Sequence, residues 1–410
     1  MHSFVRAAII AAALSSASAL HAQTLTLQDA IERAINASPQ GKAAAARQDV
    51  LVASRDQANT KPSPTIDVLA ENLGIGGQDL RDQIQLTATY NQRIERGGKR
   101  AARIALVEGD MDVARAEALV RLLDLAANVH RLYVEVQAAE ASIVNAQERV
   151  DIAAAAQREV QRRVDGARDP LFAGTRAKTQ LAEARVDLEL AVHARDAALV
   201  RLAALWGGSA DGLRVGSEAF LTLDRLPVGG TMAAADLAVF EARRKRSDAA
   251  IALERSNAVS DPTISAGPRL IGTGDVAVVA GVSFPLRNRR LANANVARAQ
   301  AEQRQIDAEL AVERYQRNQA IALAAEKVEE SRHEVEAIRD RVLPGARQTL
   351  AEVRAGYARG GFSFLDVSTA QRELAAAHAR LVQAATRYHQ AGVELDRLTG
   401  RLAPLVQEAR

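Results

Sequence analysis

The chain contains no cysteine, and aromatic residues make up only 3% of its 410 residues. Without cysteine it can form neither disulfides nor thiolate metal sites, and lipidation of an N-terminal cysteine is excluded. The scarcity of aromatic side chains disfavours a bulky globular core and suits closely packed, alanine-rich helices. No stretch of 18 apolar residues follows residue 22, so any membrane-spanning segment would have to be a β-strand.

The chain also lacks a large excess of positive or negative charge. The 53 Lys and Arg residues nearly balance the 50 Asp and Glu residues, and no basic tail indicates nucleic-acid binding. The seven histidines are scattered without metal-ligand spacing, and no metalloprotease, nucleophile-elbow or phosphate-loop motif is present. The sequence therefore predicts no catalytic residue, no cofactor and no metal site, and we do not expect an enzyme.

The first 22 residues have the layout of a secretory signal peptide. Arg6 supplies a positive charge, an unbroken apolar run covers residues 7–14, and small residues follow. Cleavage is expected after Ala19 or Ala22. A buried helix of a cytosolic protein is the alternative interpretation of this segment.

The mature chain is predicted to consist of two copies of one unit, at 23–206 and 231–410, joined by a glycine-rich linker at 207–230. Each copy contains a helix, two short strands, a very long helix, a turn and a return helix. The longest stretches free of Gly and Pro, 110–165 and 286–343, would each run about 85 Å as helices. Gly and Pro at 165–170 and 355–361 then break the chain into two helical hairpins.

Both long helices carry an apolar residue at every seventh position, with small or apolar residues three positions later, which is the pattern of a coiled-coil seam. The first seam consists of Leu122, Val129, Val136, Ile143 and Val150, with Leu125, Leu132, Ala139, Ala146 and Ala153 between them. The second consists of Ile321, Val328, Val335 and Val342, with Ala324, Ser331 and Ile338 between them. An ordinary rod-like coiled coil is the alternative to a helical tube.

The strands predicted before each long helix lie at about 64–72 and 83–92, and at about 263–271 and 275–284. Their alternating pattern is typical of a transmembrane β-strand with one apolar and one polar face. The residues expected to face lipid are Ile84, Leu86, Tyr90, Val278 and Val282. The residues expected to face the lumen are Gln85, Thr87, Thr89 and Asn91. Pro268 weakens the third strand, and two soluble hairpins are the alternative.

Four strands cannot close a barrel, and open sheet edges are not tolerated in lipid. If the strands cross a membrane, several chains must share one barrel, and three chains would supply twelve strands. The predicted fold class is therefore mainly α with a small β part. Long helical hairpins form an α-barrel, and four strands per chain contribute to a trimeric, twelve-stranded β-barrel.

Four short motifs occur in a characteristic order along the chain. They lie at 25–39, at 94–100, at 283–290 and at 357–367, the last followed by Ala370, Gln371 and Arg372. Together they resemble the outer-membrane efflux protein (TolC-like) family over nearly the whole mature chain. The motif at 94–100 is similar to a stretch common in the heavy-metal (Czc-type) branch of that family.

The resemblance implies an outer-membrane channel subunit that extends into the periplasm as a homotrimer. It would be the passive exit duct of a tripartite efflux system for metal cations or drugs. Its partners would be outer-membrane lipid, a periplasmic adaptor (membrane fusion protein) and an inner-membrane RND pump, with no nucleic acid. The alternative is a periplasmic coiled-coil adaptor or structural protein without a barrel, although an adaptor would have one hairpin flanked by compact β-domains.

The resemblance also implies a gate at the periplasmic tip of the tube. Tyr357 matches the gate tyrosine of the family, and Asp366 matches the first aspartate of its acidic tip pattern. This chain has Thr369 at the second aspartate position and Thr175 where the family has the aspartate that bonds the tyrosine. Nearby tip residues that could take over these roles are Asp165, Arg168, Asp169 and Arg359. Asp366 is also interpreted as a helix N-cap, because it follows a glycine-rich turn.

Overall fold

A computed structural model of the chain describes residues 24–74, 82–223 and 229–409. The predicted signal peptide at 1–22 and most of the predicted turn at 74–77 lie outside these residues. Within them the fold is mainly helical with one four-stranded sheet, which confirms the predicted fold class. Every helix in the described ranges is too short or too polar to traverse a bilayer.

The first half of the chain follows the predicted order of elements, except that two helices instead of one precede the strands. They are α1 (Leu27–Ala37), α2 (Pro39–Ala58), β1 (Thr65–Glu71), β2 (Gln85–Arg93), α3 (Lys99–Asp165) and α4 (Leu171–Ala203). Helix α3 has 67 residues and therefore runs about 100 Å. It begins directly after Gly97 and Gly98, which both have positive φ angles that favour glycine. This sharp turn converts the end of β2 into the start of the longest helix.

The second half repeats this order with a single helix before its strands, an interruption in its long helix and a short additional helix at its end. Its elements are α5 (Ala234–Asn257), β3 (Thr263–Ile271), β4 (Val276–Ser283), α6 (Arg289–Ala337), α7 (Leu343–Ala358), α8 (Phe364–Thr399) and the short α9 (Ala403–Glu408). A single π-helical turn at Ile338–Val342 separates α6 from α7. Between the halves, residues 207–223 form turns whose buried side chains, Val215 and Phe220, belong to the same apolar core as α1 and α3.

The four strands form one antiparallel sheet in the order β1-β2-β3-β4, so the two halves are joined through β2 and β3. The register pairs Ile66 with Tyr90, Leu86 with Leu270, and Ile264 with Val282. Because side chains alternate along each strand, these residues share one face of the sheet. That face is apolar across all four strands: Ile66, Val68, Ala70, Leu86, Ala88, Tyr90, Ile264, Ala266, Pro268, Leu270, Val276, Val278, Ala280 and Val282.

Pro268 lies in the middle of an inner strand, where proline is normally avoided because it has no N–H to donate. The pairing of β2 with β3 is interrupted beside Pro268 and Gly267, and it resumes at Tyr90 and Ala266. A Cβ atom on Gly267 would lie only 1.8 Å from the Ala88 carbonyl oxygen. Gly267 therefore lets the two backbones approach closely where Pro268 cannot contribute a hydrogen bond.

The predicted heptad seams are buried to different extents. In α3, Val129, Val136 and Ala153 are buried and the other seam positions are half-buried, because α3 packs against α4 on one side and against α5 and α8 on others. In α6 and at the start of the π-helical turn, the seam is buried from Ile321 to Ile338.

The seam prediction is wrong at Val342, which is 46% exposed. The π-helical turn inserts one extra residue, so the buried positions after it are Leu343 and Leu350 instead. The turn ends two residues before Pro344, whose missing N–H would interrupt a regular α-helix.

Candidate functional site: the helical tip and the sheet

The turn between α3 and α4 is shaped by the last residues of α3. The backbone N–H groups of Arg168 and Asp169 both donate to the Arg163 carbonyl oxygen, and Ala167 adopts a positive φ of 54°. This geometry folds the turn back over α3. The Arg163 guanidinium then donates to both carboxylate oxygens of Asp169, at 3.1 and 3.2 Å.

Tyr357, at the end of α7, joins the two hairpins at this point. Its hydroxyl donates a hydrogen bond to the Asp169 carboxylate. The Arg163 guanidinium carbon lies 4.5 Å from the centre of the Tyr357 ring, and Arg163 also donates to the Ala358 carbonyl oxygen at 3.3 Å. We call Arg163, Asp169 and Tyr357 the tip cluster. It connects the first hairpin to the second through three kinds of contact.

The electrostatics of the tip cluster favour a protonated phenol and an ionised carboxyl group. Burial, reinforced by the hydrogen bond to Asp169, raises the pKa of Tyr357 above its usual value. Burial opposes ionisation of Asp169, but hydrogen bonds from Arg163 and Tyr357 hold its pKa below the usual value. At physiological pH the Tyr357 hydroxyl can therefore donate and the Asp169 carboxylate can accept.

Beneath the tip cluster lies a small apolar core shared by both hairpins. It contains Ala156, Val160, Ala173, Ala177, Tyr357, Phe364 and Val367. The rings of Tyr357 and Phe364 are 6.2 Å apart. Alanine at many of these positions allows the helices to pack closely, so the hydrogen bonds of Tyr357 are supported by packing from below.

The interpretation of Asp366 as a helix N-cap is wrong, because Ser363 occupies that position at the start of α8. Asp366 is the third residue of the helix and completes a capping box, in which the Ser363 N–H and hydroxyl donate to it at 2.8 and 2.7 Å. These hydrogen bonds lower the pKa of the Asp366 carboxyl group. The carboxylate is exposed, so one of its oxygens stays accessible to solvent.

The remaining predicted tip residues are more dispersed. Thr369 is half-buried and accepts a hydrogen bond from Arg372 at 3.3 Å, whereas Thr175 is exposed. Arg168 and Arg359 are exposed, and their side chains form no hydrogen bond with any described residue. Of the residues expected to take the place of an aspartate at position 175, the structure therefore brings only Asp169 to Tyr357.

The polar face of the sheet carries a short chain of interactions across three strands. Arg269 donates to the Thr87 hydroxyl at 3.0 Å and lies 3.5 Å from Glu71. Asn91 donates to Asp67 at 2.9 Å. The predicted lumen-facing residues Gln85, Thr87, Thr89 and Asn91 share this face with them.

The predicted lipid-facing residues share the opposite, apolar face. Val278 is 82% exposed and Val282 is 58% exposed, whereas Leu86 and Tyr90 are 43% and 50% exposed. Ile84 lies just before β2 and is half-buried, and its carbonyl oxygen accepts a hydrogen bond from Gly272. Across residues 24–74, 82–223 and 229–409, no group of three or more His, Asp or Glu side chains is arranged to hold a metal ion.

Comparisons with known proteins agree on one family. The model of the outer membrane efflux protein family matches residues 30–208 and 232–401. The cobalt-zinc-cadmium resistance protein CzcC of Cupriavidus metallidurans is 30% identical over 393 residues, which cover 92% of this chain and 90% of CzcC. The nickel and cobalt resistance protein CnrC of the same organism is 30% identical, with 68% of each chain covered. Among solved structures, the outer membrane protein VceC of Vibrio cholerae has a TM-score of 0.72 at 19% identity, covering 91% of this chain and 96% of VceC.

These matches, together with the repeated hairpins and the sheet, show that the chain belongs to the outer membrane efflux protein family. It is an outer-membrane channel subunit of a tripartite efflux system and acts as a passive exit duct from the periplasm. The predicted membership of the heavy-metal branch is confirmed. The family consists of transport channels and not of enzymes, and the alternative interpretation as a periplasmic adaptor is wrong.

Sequence reasoning missed Arg163, although its guanidinium bonds Asp169 and the Ala358 carbonyl oxygen and lies over the Tyr357 ring. Arg163 is one of several arginines near the end of α3, and nothing in the heptad pattern distinguishes it from Arg162, which is exposed. It also missed Asp261, a buried carboxylate that pairs with Arg93 at 2.8 Å and with Lys99 at 2.7 Å. The only available signal was the charged stretch at 94–100, which contains Lys99.

Proposed function

We propose that this chain forms a homotrimer that carries divalent heavy-metal cations out of the periplasm. It would receive them from a periplasmic adaptor and an inner-membrane RND pump. The observation that carries the cargo class is the 30% identity to CzcC over 92% of this chain. The names of CzcC, CnrC and a third relative, NccC of Alcaligenes xylosoxydans xylosoxydans, mention cobalt, zinc, cadmium and nickel. An RND pump would be the energy source, since a passive duct has none of its own.

The sheet supports insertion into the outer membrane as part of a shared barrel. Its apolar face would contact lipid through Ile84, Leu86, Tyr90, Val278 and Val282. Its polar face would line the lumen through Gln85, Thr87, Thr89 and Asn91. Strands β1 and β4 have unpaired edges in the single chain. Pairing β4 of each copy with β1 of the next would close twelve strands from three copies and satisfy those edges.

The tip cluster supports a resting state in which the two hairpins of each chain are held together. Tyr357 would have to break its hydrogen bond to Asp169 before α7 and α8 could move away from α3 and α4. Three copies of Asp366 around one axis would form a ring of carboxylates at the opening. Thr369 supplies no second ring, and Arg168, Arg359 and Thr175 would line the surrounding surface.

The assembly can be tested by the mass of the purified protein in a mild detergent. We expect a trimer that SDS dissociates, because the isolated four-stranded sheet leaves two edges unpaired in an apolar environment. A stable monomer in mild detergent would contradict the shared barrel. The cargo can be tested separately, by the sensitivity of a deletion strain to cobalt, zinc, cadmium and nickel salts compared with organic antibiotics.

The orientation of the sheet can be tested with single cysteines, since the chain has none of its own. Cysteines replacing Thr89 or Asn91 should react with a membrane-impermeant thiol reagent in proteoliposomes, because the lumen is water-filled. Cysteines replacing Leu86 or Val278 should resist it, because they would face acyl chains. All four variants should react equally after denaturation in SDS. Equal labelling in the bilayer would contradict the assignment of the two faces.

A further inference from the structure

The segments at one end of the sheet are strongly basic. Residues 60–64, 92–103, 258–262 and 284–290 connect the strands to α2, α3, α5 and α6, and they contain nine Lys and Arg residues but only two carboxylates. By contrast, the segments connecting β1 to β2 and β3 to β4 contain three aspartates and one arginine. The excess of positive charge is therefore confined to the helical end of the sheet, although the whole chain carries only +3.

Two adjoining clefts collect these basic side chains. The first, of about 980 Å³, is lined by Lys61, Arg93, Lys99 and Arg100, with Glu95 as its single carboxylate. The second is lined by Arg93, Lys99 and Arg287, together with the carboxylates Glu254 and Asp261. We call the two clefts together the basic rim.

Most cations of the basic rim and its surroundings are free to bind an external anion. Asp261 pairs with Arg93 and Lys99, Glu95 pairs with Arg103, and Glu254 lies 3.6 Å from Arg298, so all three carboxylates of the clefts already have a partner. Within the described ranges, six exposed basic residues at this end of the sheet make no ion pair with a carboxylate. They are Lys61, Arg96, Arg100, Arg287, Arg289 and Arg290.

Exposed apolar side chains lie directly beside these cations. Ile94, which lines the first cleft, is 40% exposed, and Leu286, which lines the second, is 98% exposed. Phe284 is 62% exposed and continues the alternation of Val278 and Val282 along the apolar face. The surface thus places apolar groups towards the sheet and cations just beyond its end, which matches the order of acyl chain and phosphate in a phospholipid.

We infer that the basic rim binds anionic phospholipid, with headgroup phosphates at Lys61 and Arg100 in the first cleft and at Arg287 in the second, and with acyl chains against Ile94, Phe284 and Leu286. The inference rests on the proposed insertion of the sheet into a membrane. Each cation at an anionic membrane surface strengthens binding by roughly fivefold. The rim would hold the channel at a fixed depth and give it a preference for acidic lipid in the periplasm-facing leaflet.

The test compares lipid binding by the delipidated protein in mild detergent, measured by native mass spectrometry. The ligands are phosphatidylglycerol and phosphatidylethanolamine with the same acyl chains. We expect at least tenfold tighter binding of phosphatidylglycerol, with a preference that declines as salt is added. The triple variant Lys61→Gln/Arg100→Gln/Arg287→Gln should lose that preference and bind phosphatidylethanolamine as before.

A matched control removes the same charges from α4, in the variant Arg176→Gln/Lys178→Gln/Arg185→Gln. These three residues are exposed and, among the described residues, make no ion pair, so the control should keep the full preference for phosphatidylglycerol. No preference in the unaltered protein, or an unchanged preference in the rim variant, would overturn the inference.

Two further measurements distinguish binding of lipid from binding of free phosphate or of a neighbouring copy of the chain. Displacement of phosphatidylglycerol by millimolar inorganic phosphate would identify a site for free anions and would overturn the assignment to lipid. Dissociation of the rim variant into monomers that still prefer phosphatidylglycerol would show that the cations contact a neighbouring copy instead, and would equally overturn it. Insertion into neutral phosphatidylcholine vesicles tests the proposed channel by itself, because it does not depend on the rim.

Discussion

Tyr357 bonds to an acceptor in the turn before α4 and not to a residue on that helix. The resemblance predicts an aspartate as the tyrosine's acceptor at position 175, where this chain has Thr175, whose hydroxyl carries no charge. Asp169 accepts the tyrosine's hydrogen bond instead, six positions earlier in the same hairpin. This arrangement works because Arg163 holds the Asp169 carboxylate from the other side. The acceptor of the Tyr357 hydroxyl is thus a carboxylate, and it lies in the turn between α3 and α4.

The variant Tyr357→Phe should release the tip without disturbing the rest of the chain. It removes the hydrogen bond to Asp169 and leaves a largely buried carboxylate with one partner fewer, at a cost of about 1–3 kcal/mol. We expect a higher single-channel conductance in planar bilayers, because the hairpins separate more readily. Tyr133→Phe is the matched control, since Tyr133 donates to the Leu25 carbonyl oxygen at 2.9 Å in the main core. Equal conductance changes in both variants would exclude a specific role of the tip.

Asp366 has two proposed functions that different substitutions can separate. Asp366→Asn removes the negative charge, so the cation preference of the channel and its block by multivalent cations should both decrease. Ser363→Ala removes the capping hydroxyl but keeps the carboxylate, and should lower stability by about 1 kcal/mol without changing selectivity. Bilayer recordings and thermal unfolding measure the two effects. Unchanged selectivity in Asp366→Asn would leave the residue with a capping role only.

For single residues, the sequence predicted which side chains lie at the tip better than it predicted which side chains they contact. Tyr357 and Asp169 were both expected at the tip, because a motif and a glycine-containing turn mark their positions. Arg163 was not, since partners across two hairpins depend on the relative rotation of helices whose contacting residues are 195 positions apart. Asp366 was expected to be the N-cap and is instead the third residue of its helix, because a capping box contains two polar residues that could each start the helix.

Among the elements, the π-helical turn is the place where the seven-residue repeat of the sequence stops predicting which residues are buried. A strict seven-residue repeat leads from Val335 to Val342, but the chain buries Leu343 instead. The strands show the opposite case: their paired registers contain no one-residue insertion, so the alternation of period two holds along each strand, and their predicted bounds hold within two residues. In a long helix, a single inserted residue rotates every later residue about the helix axis and so changes which of them face the core.

Deleting one residue from the π-helical turn should therefore produce a regular helix with the seam intact. Removing Arg341 brings Leu343 and Leu350 into the repeat of Ile321, Val328 and Val335, and Pro344→Ala removes the ring that would otherwise clash. We expect the free energy of unfolding of the combined variant to lie within about 1 kcal/mol of that of the unaltered protein. The deletion without Pro344→Ala should cost about 3 kcal/mol more.

The control deletes Arg304, an exposed residue in the regular part of α6. It shifts the seam without any compensating insertion and should destabilise the protein far more than the Arg341 deletion. Hydrogen exchange along α7 provides a second measurement, because a regular helix lacks the weak point of the π-helical turn. Similar decreases in stability in both deletions would mean that the turn does not adjust the register.

At the scale of the whole molecule, the burial of His130 leads us to expect that the folded protein loses stability in acid. It is largely buried in α3, its Nδ1 atom has no hydrogen-bond partner within the described residues, and burial lowers its pKa to about 4 from 6.5. Because the unfolded chain takes up this proton first, stability is lost as the pH falls from 6.5 towards 4. The free energy of unfolding should decrease by about 2–3 kcal/mol between about pH 7.5 and pH 4.5.

The variant His130→Leu should remove that part of the pH dependence, which thermal unfolding across this pH range can measure. His193→Gln, at an exposed position of α4, is the control and should retain it. An identical pH dependence in His130→Leu would assign the acid sensitivity to other groups, such as the neighbouring His389.

The even number of strands in the sheet has a consequence for the number of copies. Because all three pairings are antiparallel, β1 and β4 run in opposite directions, and an identical copy can extend the sheet at either edge without a parallel junction. Strand pairing alone would accept three copies as readily as four. The number of copies would therefore depend on packing between the helical hairpins of neighbouring copies, so that shortening α3, α4, α6 and α8 together should yield assemblies of mixed ring size.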